Sequence, residues 1–272
     1  IPELDLCAGH EFRAGNRAPQ ERNYEFTKDI VKWVKSTGKR IGFFRSDSAG
    51  YQAKVMNYAD GEGIRYTITA DQDEAVKELI KGIEEKSWQK VKRGDGLESD
   101  REYAERIHSM NRTNHSFRLV IQRWLNPQPD LFEKKEKYCY HAIAANFLEE
   151  EKTGQEVILW HNGRSNSENY NKELKNGFNQ DYVPCGELEA NALWFAMGVL
   201  AYNLFIASKL YLFPKTWLKK TISTVRWQFI QIAGRIIRHG RCVVLRICGA
   251  LMETFEIYNK ARKLCHEMQY YE

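Results

Sequence analysis

Apolar residues recur at helical and strand spacings along the first third of the chain. From Asn23 they fall at positions i, i+4, i+7 and i+8 (Phe26, Ile30, Trp33, Val34), which predicts a helix that ends at Gly38. Residues 39–46 predict a short buried strand, and the alternating, β-branched residues 64–70 predict another. With a further strand near residue 11 and helices over residues 52–60 and 75–83, strands and helices alternate to residue 85. This order predicts a largely parallel sheet with helices packed against it.

The pattern changes between residues 87 and 151. Residues 117–124 and 138–144 each predict a strand, and polar turns separate the strand-like runs. We expect a β-rich insertion within an α/β frame. Its cations are either a binding surface or a solvated face: Lys92, Arg93, Arg112, Arg118 and Arg123.

The last third contains the most apolar stretch of the chain, residues 188–213. About 20 apolar residues suffice to span a bilayer, but Asn191, Asn203 and Lys209 interrupt this stretch. We interpret it as a buried core helix rather than a membrane span. Residues 221–238 then predict a basic amphipathic helix, residues 242–247 a strand, and residues 250–265 a final helix.

Composition indicates a globular protein with a mild excess of positive charge. The 272 residues are 43% hydrophobic and include seven Trp, and the formal net charge is +5. That charge permits an anionic partner without requiring one. The six Cys form no C-x-x-C pair, which argues against a zinc ribbon and is typical of free thiols in a reducing cytosol.

Residues 161–175 are the strongest candidate for chemistry. At about 100° per residue, an ideal helix places Arg164, Glu168, Lys172 and Lys175 within an arc of roughly 80°. A carboxylate among cations suits a metal ligand beside a phosphate chain. An alternative stays open, because Ser165-x-x-Glu168 also has the form of a helix capping box, in which Glu168 only accepts from a backbone amide.

Asp47 is the second candidate. It follows the strand predicted at residues 39–46 and precedes a turn of small residues, a position where α/β folds place their sites. An N-cap for the next helix is an equally good interpretation from this segment alone.

Read together, these segments resemble the DDE-type insertion-sequence transposases whose last acidic residue lies in a Tyr-x2-Arg-x3-Glu-x6-Lys signature. His161 stands at the Tyr position, and Arg164, Glu168 and Lys175 match the rest with the spacing intact. The segments 45–51, 11–16 and 224–226 also look like this family. The resemblance covers nearly the whole chain.

The resemblance implies an α/β fold with an RNase H-like core. Residues 1–86 would form its first part, residues 87–151 a β-rich insertion, and residues 152–272 its second part with helices at the C-terminus. Asp47 and Glu168 would be catalytic and hold Mg²⁺, or Mn²⁺ in its place, in a two-metal site. His161, Arg164, Lys172 and Lys175 would bind DNA.

The implied activity is cleavage and transfer of strands at insertion-sequence ends by an endonuclease in the prokaryotic cytoplasm, associated with the nucleoid. Its partner would be double-stranded DNA, both transposon ends and target, with a homodimer on the DNA and no membrane. A catalytically inactive DNA-binding remnant or regulator is the alternative, and a membrane-associated protein built on residues 188–213 is a third hypothesis.

Two departures from the family shape a further expectation. His replaces Tyr at position 161, which keeps a planar ring that can hydrogen-bond. The family's first acid lies on a strand well upstream of the segment at residues 11–16, and Asp5 stands only 42 positions before Asp47. We therefore expect a chain that lacks the N-terminal DNA-binding region and the first catalytic strand, either a fragment or a decayed copy, with little strand cleavage by itself.

Overall fold

The computed structural model of the protein describes residues 4–93, 96–127, 137–247 and 252–268. These residues form two compact units. One comprises residues 15–166, and the other combines residues before position 15 with those from 167 onward.

A six-stranded sheet is the centre of the first unit. Its strands are β1 (Phe43–Ser46), β2 (Arg65–Thr69), β3 (Gln89–Lys92), β4 (Glu98–His108), β5 (Phe117–Leu125) and β6 (Tyr138–Ala145). Their order across the sheet is β1-β2-β6-β5-β4-β3. Only β1 and β2 run parallel, and the remaining neighbours are antiparallel.

Helices cover both faces of this sheet. They are α1 (Asn23–Ser36), α2 (Ala53–Gly61), α3 (Glu74–Lys81) and α4 (Gly154–Asn162). Because side chains alternate along a strand, β5 sends Leu119 and Ile121 into one apolar core and Val120 into a second. Val157 and Ile158 of α4 complete the second core, so α4 lies against that face.

The α/β prediction is confirmed, while the predicted parallel sheet is wrong in one respect. The strands that lie within residues 87–151 continue the sheet of β1 and β2 in antiparallel fashion, so the sheet is mixed. The strand expected near residue 11 is also absent from the described chain. There the ring of Phe12 instead packs against Phe195, with centroids 5.7 Å apart.

The second unit is mainly helical. Its helices are α5 (Asn166–Lys172), α6 (Leu188–Leu212), α7 (Ile222–Val225) and α8 (Met252–Met268). The unit begins at Ser167, the second residue of α5. Tyr202, Phe205 and Ile206 of α6 form its core with Trp217, Ile222, Val225 and Ile257. Hydrogen bonds fasten the N-terminal segment to α6: Cys7 N–H donates to Asn203, and Asn203 donates back to the Cys7 carbonyl.

Helix α6 is buried along one face only. Leu193, Met197, Leu200 and Leu204 are each about 60% exposed, so the predicted core helix contributes one face to a core and exposes the other. The helix is long and apolar enough to cross a membrane, with 33% of its most apolar window buried. One such helix is weak evidence for a span, because the core helix of a soluble protein meets the same criteria.

A β-hairpin follows α7 where the sequence pattern predicts a continuing helix. After the helical turn at Arg226–Ile230, the chain forms β7 (Gly234–His239) and β8 (Cys242–Ile247), which pair antiparallel. Gly240, at φ +62°, occupies the first position of the two-residue turn between them. The β-branched pair Ile236-Ile237 and this glycine favour a hairpin over a helix.

Candidate active site

Asp47 lies directly after β1, at the carboxyl end of the parallel strands β1 and β2. Ser46 is paired with Ile68 in the register, so Asp47 is level with Thr69 at the end of β2. Its side chain is exposed, and Oδ1 accepts from Ala49 N–H at 3.2 Å. Asp47 is therefore both an N-cap for the turn Ser48–Gly50 and a carboxylate open to solvent.

Arg45 fixes the strand that carries Asp47 to the end of α4. Its guanidinium donates to the Trp160 carbonyl at 2.7 Å and lies 4.8 Å from the centre of the Trp160 ring. A Cβ on Gly163 would stand 2.1 Å from Arg45 Nη1, so a larger residue there would displace the guanidinium. The sequence pattern did not single out Arg45. The feature that could have identified Arg45 is its position, two residues before the candidate acid Asp47.

His161 is buried, with 3% of its surface exposed. Nδ1 lies 3.0 Å from Thr67 Oγ1, and Nε2 lies 3.0 Å from Thr69 Oγ1. A neutral imidazole donates through one nitrogen and accepts through the other, and a hydroxyl can do either, so both contacts are satisfied together. His161 thus joins α4 to two residues of β2.

The surroundings of His161 favour its neutral form. Burial lowers the pKa of His161 to about 4, and the nearby His141 and Arg164 add to that effect. Burial also lowers the pKa of His141, whose ring centre is 5.7 Å from that of His161. Two uncharged imidazoles therefore lie together in the electrostatic field of Arg164. The sequence analysis missed His141, Thr67 and Thr69, because only the strand pairing brings them together.

Arg164 lies in a helical turn, Gly163–Ser165, that continues α4 toward α5. Helix α4 begins at Gly154, with Thr153 and Glu156 forming its capping box. Ser165 Oγ donates to the Asn162 carbonyl at 2.9 Å. Helix α5 begins at Asn166, directly after Ser165, so the capping-box interpretation of Ser165 and Glu168 stays a prediction.

Glu168, Lys172 and Lys175 belong to the second unit and are exposed. Glu168 and Lys172 share α5, whereas Lys175 lies in the wider helical turn Glu173–Gly177. A wider turn changes the angle per residue, so the single arc drawn for an ideal helix does not extend to Lys175. Lys175 Nζ is 3.9 Å from Asp181, an exposed pair of little energetic weight.

The turn after α5 is held by residues whose roles the sequence analysis missed. Glu173 accepts from Ile222 N–H at 2.6 Å, and Arg226 donates to the Gly177 carbonyl at 2.7 Å. Glu173 thereby satisfies a backbone donor at the start of α7. The segment at residues 224–226 thus contributes a positioning contact to the helix that carries Glu168.

Asp5, the upstream residue considered as the family's first acid, lies in a turn with φ +55° and follows no strand of the described chain. Its Oδ1 accepts from the Tyr170 hydroxyl at 2.6 Å, and its carbonyl accepts from Tyr202. These contacts indicate a structural role for Asp5.

The donor chemistry at Asp47 and Glu168 is compatible with Mg²⁺. Each residue offers an exposed carboxylate, and Mg²⁺ binds through one or two carboxylates while keeping waters and substrate phosphates. No group of three His, Cys, Asp or Glu side chains that could hold a metal occurs in the described part of the chain.

Comparison with known families gives one match. The sequence model described as transposase DDE domain group 1 matches residues 6–269. No curated protein matches the chain.

Proposed function

This chain belongs to the transposase DDE domain group 1 family, and we propose that it is a DNA transposase in which Asp47 and Glu168 hold Mg²⁺ during strand cleavage and transfer at insertion-sequence ends. The observation that carries the proposal is the family match, because it spans residues 6–269 and includes both acids. The family as a whole implies a polynucleotidyl transferase.

The exposed carboxylate at the end of a parallel strand pair supports the assignment of Asp47. Its bond from Ala49 N–H fixes the carboxylate orientation and leaves the second oxygen for a ligand. When bound, two Mg²⁺ ions would activate the attacking oxygen and stabilise the leaving oxygen of an in-line phosphoryl transfer.

Arg164, Lys172 and Lys175 are our proposed phosphate contacts. Exposed Lys172 and Lys175 carry the charge that such contacts require. The burial of His161 favours a positioning role in place of direct DNA contact, since both of its ring nitrogens already have hydroxyl partners.

We also propose an RNase H-like core formed by residues 1–86 and 152–272, with residues 87–151 inserted. The parallel pair β1 and β2 supports the core, and the strands of residues 87–151 would extend its sheet. Mg²⁺ or Mn²⁺ as cofactor, a homodimer on DNA and a nucleoid-associated place in the prokaryotic cytoplasm complete the proposal.

Manganese binding separates a ligand from a helix cap at Asp47. Asp47→Asn keeps an oxygen that can accept from Ala49 but removes the charge, so the turn stays capped while Mn²⁺ affinity falls. We expect Asp47→Asn and Glu168→Gln each to weaken Mn²⁺ binding at least tenfold in an electron paramagnetic resonance titration. Asp29→Asn, which changes an exposed carboxylate on α1, should bind Mn²⁺ as the unaltered chain does.

The manganese titration, together with a measurement of duplex binding, distinguishes a transposase from a DNA-binding remnant. If the unaltered chain binds duplex DNA but its Mn²⁺ affinity does not depend on Asp47 or Glu168, the metal-site assignment is wrong. A DNA-binding remnant without catalysis then accounts for the protein better.

A further inference from the structure

The positive charge of this protein is concentrated in one segment. Residues 190–252 contain nine Lys and Arg and no Asp or Glu, whereas the whole chain has a net charge of +5. The remainder of the chain is therefore net negative, at −4. A mild overall charge thus conceals a strongly basic region.

The hairpin of β7 and β8 displays four of these nine cations. Arg235, Arg238, Arg241 and Arg246 are all exposed, and none of them forms an ion pair with a carboxylate in the described parts of the chain. His239 lies beside the turn. All four cations are arginine, whose planar guanidinium matches a phosphate group with two parallel hydrogen bonds.

The pairing of the two strands places two arginines directly opposite each other. Arg235 is the register partner of Arg246, and like charges in that position destabilise a hairpin. A two-stranded ribbon is only marginally stable by itself. The hairpin therefore carries a feature that opposes its own folding and that an anionic partner would offset.

The distribution of the arginines over the ribbon identifies the kind of partner. Alternation places Arg235 and Arg246 on one face, Arg238 on the other, and Arg241 in the turn. The face with exposed Ile236, Val243 and Leu245 is thus interrupted by Arg238. An anionic membrane surface requires a continuous apolar face, whereas a duplex presents phosphates on both sides of a groove that admits a two-stranded ribbon.

The base of the hairpin is anchored. The ring of Phe229, five residues before β7, stacks on Tyr258 with centroids 4.4 Å apart, and the Tyr258 hydroxyl donates to the Phe229 carbonyl at 2.8 Å. Phe229 also contacts Phe213 and Trp217 of the unit's core. A ligand bound by the ribbon would therefore be held against a packed part of the protein.

We propose that the β7–β8 hairpin binds the phosphate backbone of duplex DNA through Arg235, Arg238, Arg241 and Arg246. The choice of DNA rests on the proposed function, and the location of the contact rests on the charges and pairing described above. The contact is independent of base sequence and of divalent metal.

The test is the salt dependence of binding to a fluorescent 30-base-pair duplex of arbitrary sequence, measured by anisotropy between 50 and 200 mM salt without divalent metal. Each phosphate contact contributes about 0.9 to the slope of log affinity against log salt. We expect Arg235→Thr/Arg246→Thr to reduce that slope by about 2. Arg235→Lys/Arg246→Lys, which keeps the charges, should retain the slope, and so should Lys28→Ala/Lys32→Ala on the exposed side of α1.

The melting temperature of the Thr double variant provides a second readout. It should rise if the arginines bind DNA, and it should fall if they only stabilise the fold. Threonine favours strands, and removing two opposed like charges relieves repulsion. The Thr double variant should therefore melt at a higher temperature than the unaltered chain while it binds DNA more weakly. A lower melting temperature would show that the two arginines stabilise the fold, which contradicts the proposal.

The remaining outcomes are distinct. If the unaltered chain binds DNA and the Thr variant keeps its salt slope, the hairpin proposal is wrong and the proposed function stands. If the unaltered chain does not bind the duplex at 50 mM salt, both are wrong. Binding to vesicles of anionic phospholipid, in the absence of duplex binding, would assign the hairpin to a membrane surface instead.

Discussion

A single residue can suit two roles, and Asp47 shows why the sequence pattern cannot separate them. An N-cap and a metal ligand require the same residue type at the same place, a carboxylate where a turn begins. The structure shows the cap, through Ala49 N–H, and leaves the carboxylate exposed. Substitution by the amide distinguishes the two roles, because only the ligand requires the charge.

His161 illustrates the opposite case, in which burial changes the role that spacing predicts. The signature spacing marks position 161, but only the packing of α4 against β2 reveals that Thr67 and Thr69 contact the ring. These contacts join residues 94 and 92 positions apart, so the chain's local pattern could not supply them.

Burial of neutral His161 predicts a loss of stability in mild acid. Its pKa is lowered to about 4, whereas an unfolded histidine has a pKa of about 6.5. As the pH falls from about 6.5 toward 4, the unfolded chain takes up a proton that the folded chain excludes. The free energy of unfolding should therefore decrease across this window, by roughly 3 kcal/mol from His161 in total, and level off below it.

Urea denaturation of the chain at a series of pH values measures this dependence. His161→Gln should flatten the curve between pH 6.5 and 4, although His141 keeps part of the slope because its pKa is lowered too. His115→Gln, which changes an exposed histidine, should leave the curve unaltered. An equally steep curve for His161→Gln would show that another group controls acid stability.

At the scale of elements, the sequence predicts what depends on local periodicity. Helices α1, α2 and α3 and strands β1, β2, β5 and β6 lie close to their predicted positions. The failures occur where strand pairing, rather than helical periodicity, decides the outcome. Residues 11–14 have no neighbouring strand in the described chain, and residues 234–239 pair with β8 in place of continuing a helix.

The turn that positions Asp47 depends on a close approach between two elements. A Cβ on Gly50 would stand 2.7 Å from Ser46 Cβ and 2.4 Å from Ser46 Oγ. The Cβ of Ser46 is fixed to β1, so the turn itself would have to move. We expect Gly50→Ala to destabilise the protein by about 1–3 kcal/mol, in the range typical of overpacking, and to weaken Mn²⁺ binding because Asp47 moves with the turn.

Gly42→Ala is the matched control for that substitution. A Cβ at Gly42, just before the same strand, meets nothing within 4 Å, so its effect on stability should stay within about 0.5 kcal/mol. Thermal unfolding followed by circular dichroism gives the comparison. Equal melting temperatures for the two variants would mean that the Ser48–Gly50 turn is not constrained by β1.

At the scale of the whole molecule, each unit contains its own core. Both apolar clusters around the sheet consist of residues between 31 and 158, and the cluster around α6 consists of residues 6, 7 and 174–257. The proposed carboxylates fall on different sides of this division, Asp47 in the first unit and Glu168 in the second. The sequence motifs name both acids, but a motif contains no information about how a chain divides into cores.

This division predicts that residues 15–166 fold by themselves. The segment is continuous, is about the size of an ordinary domain, and includes every strand of the six-stranded sheet together with α4, which covers the second core. We expect it to unfold in one cooperative thermal transition and to give a dispersed amide spectrum by nuclear magnetic resonance. Gly50→Ala should lower its melting temperature as it does in the whole chain, because Ser46 and Gly50 both lie within it. A segment without a cooperative transition would show that the second unit is required for the sheet to form.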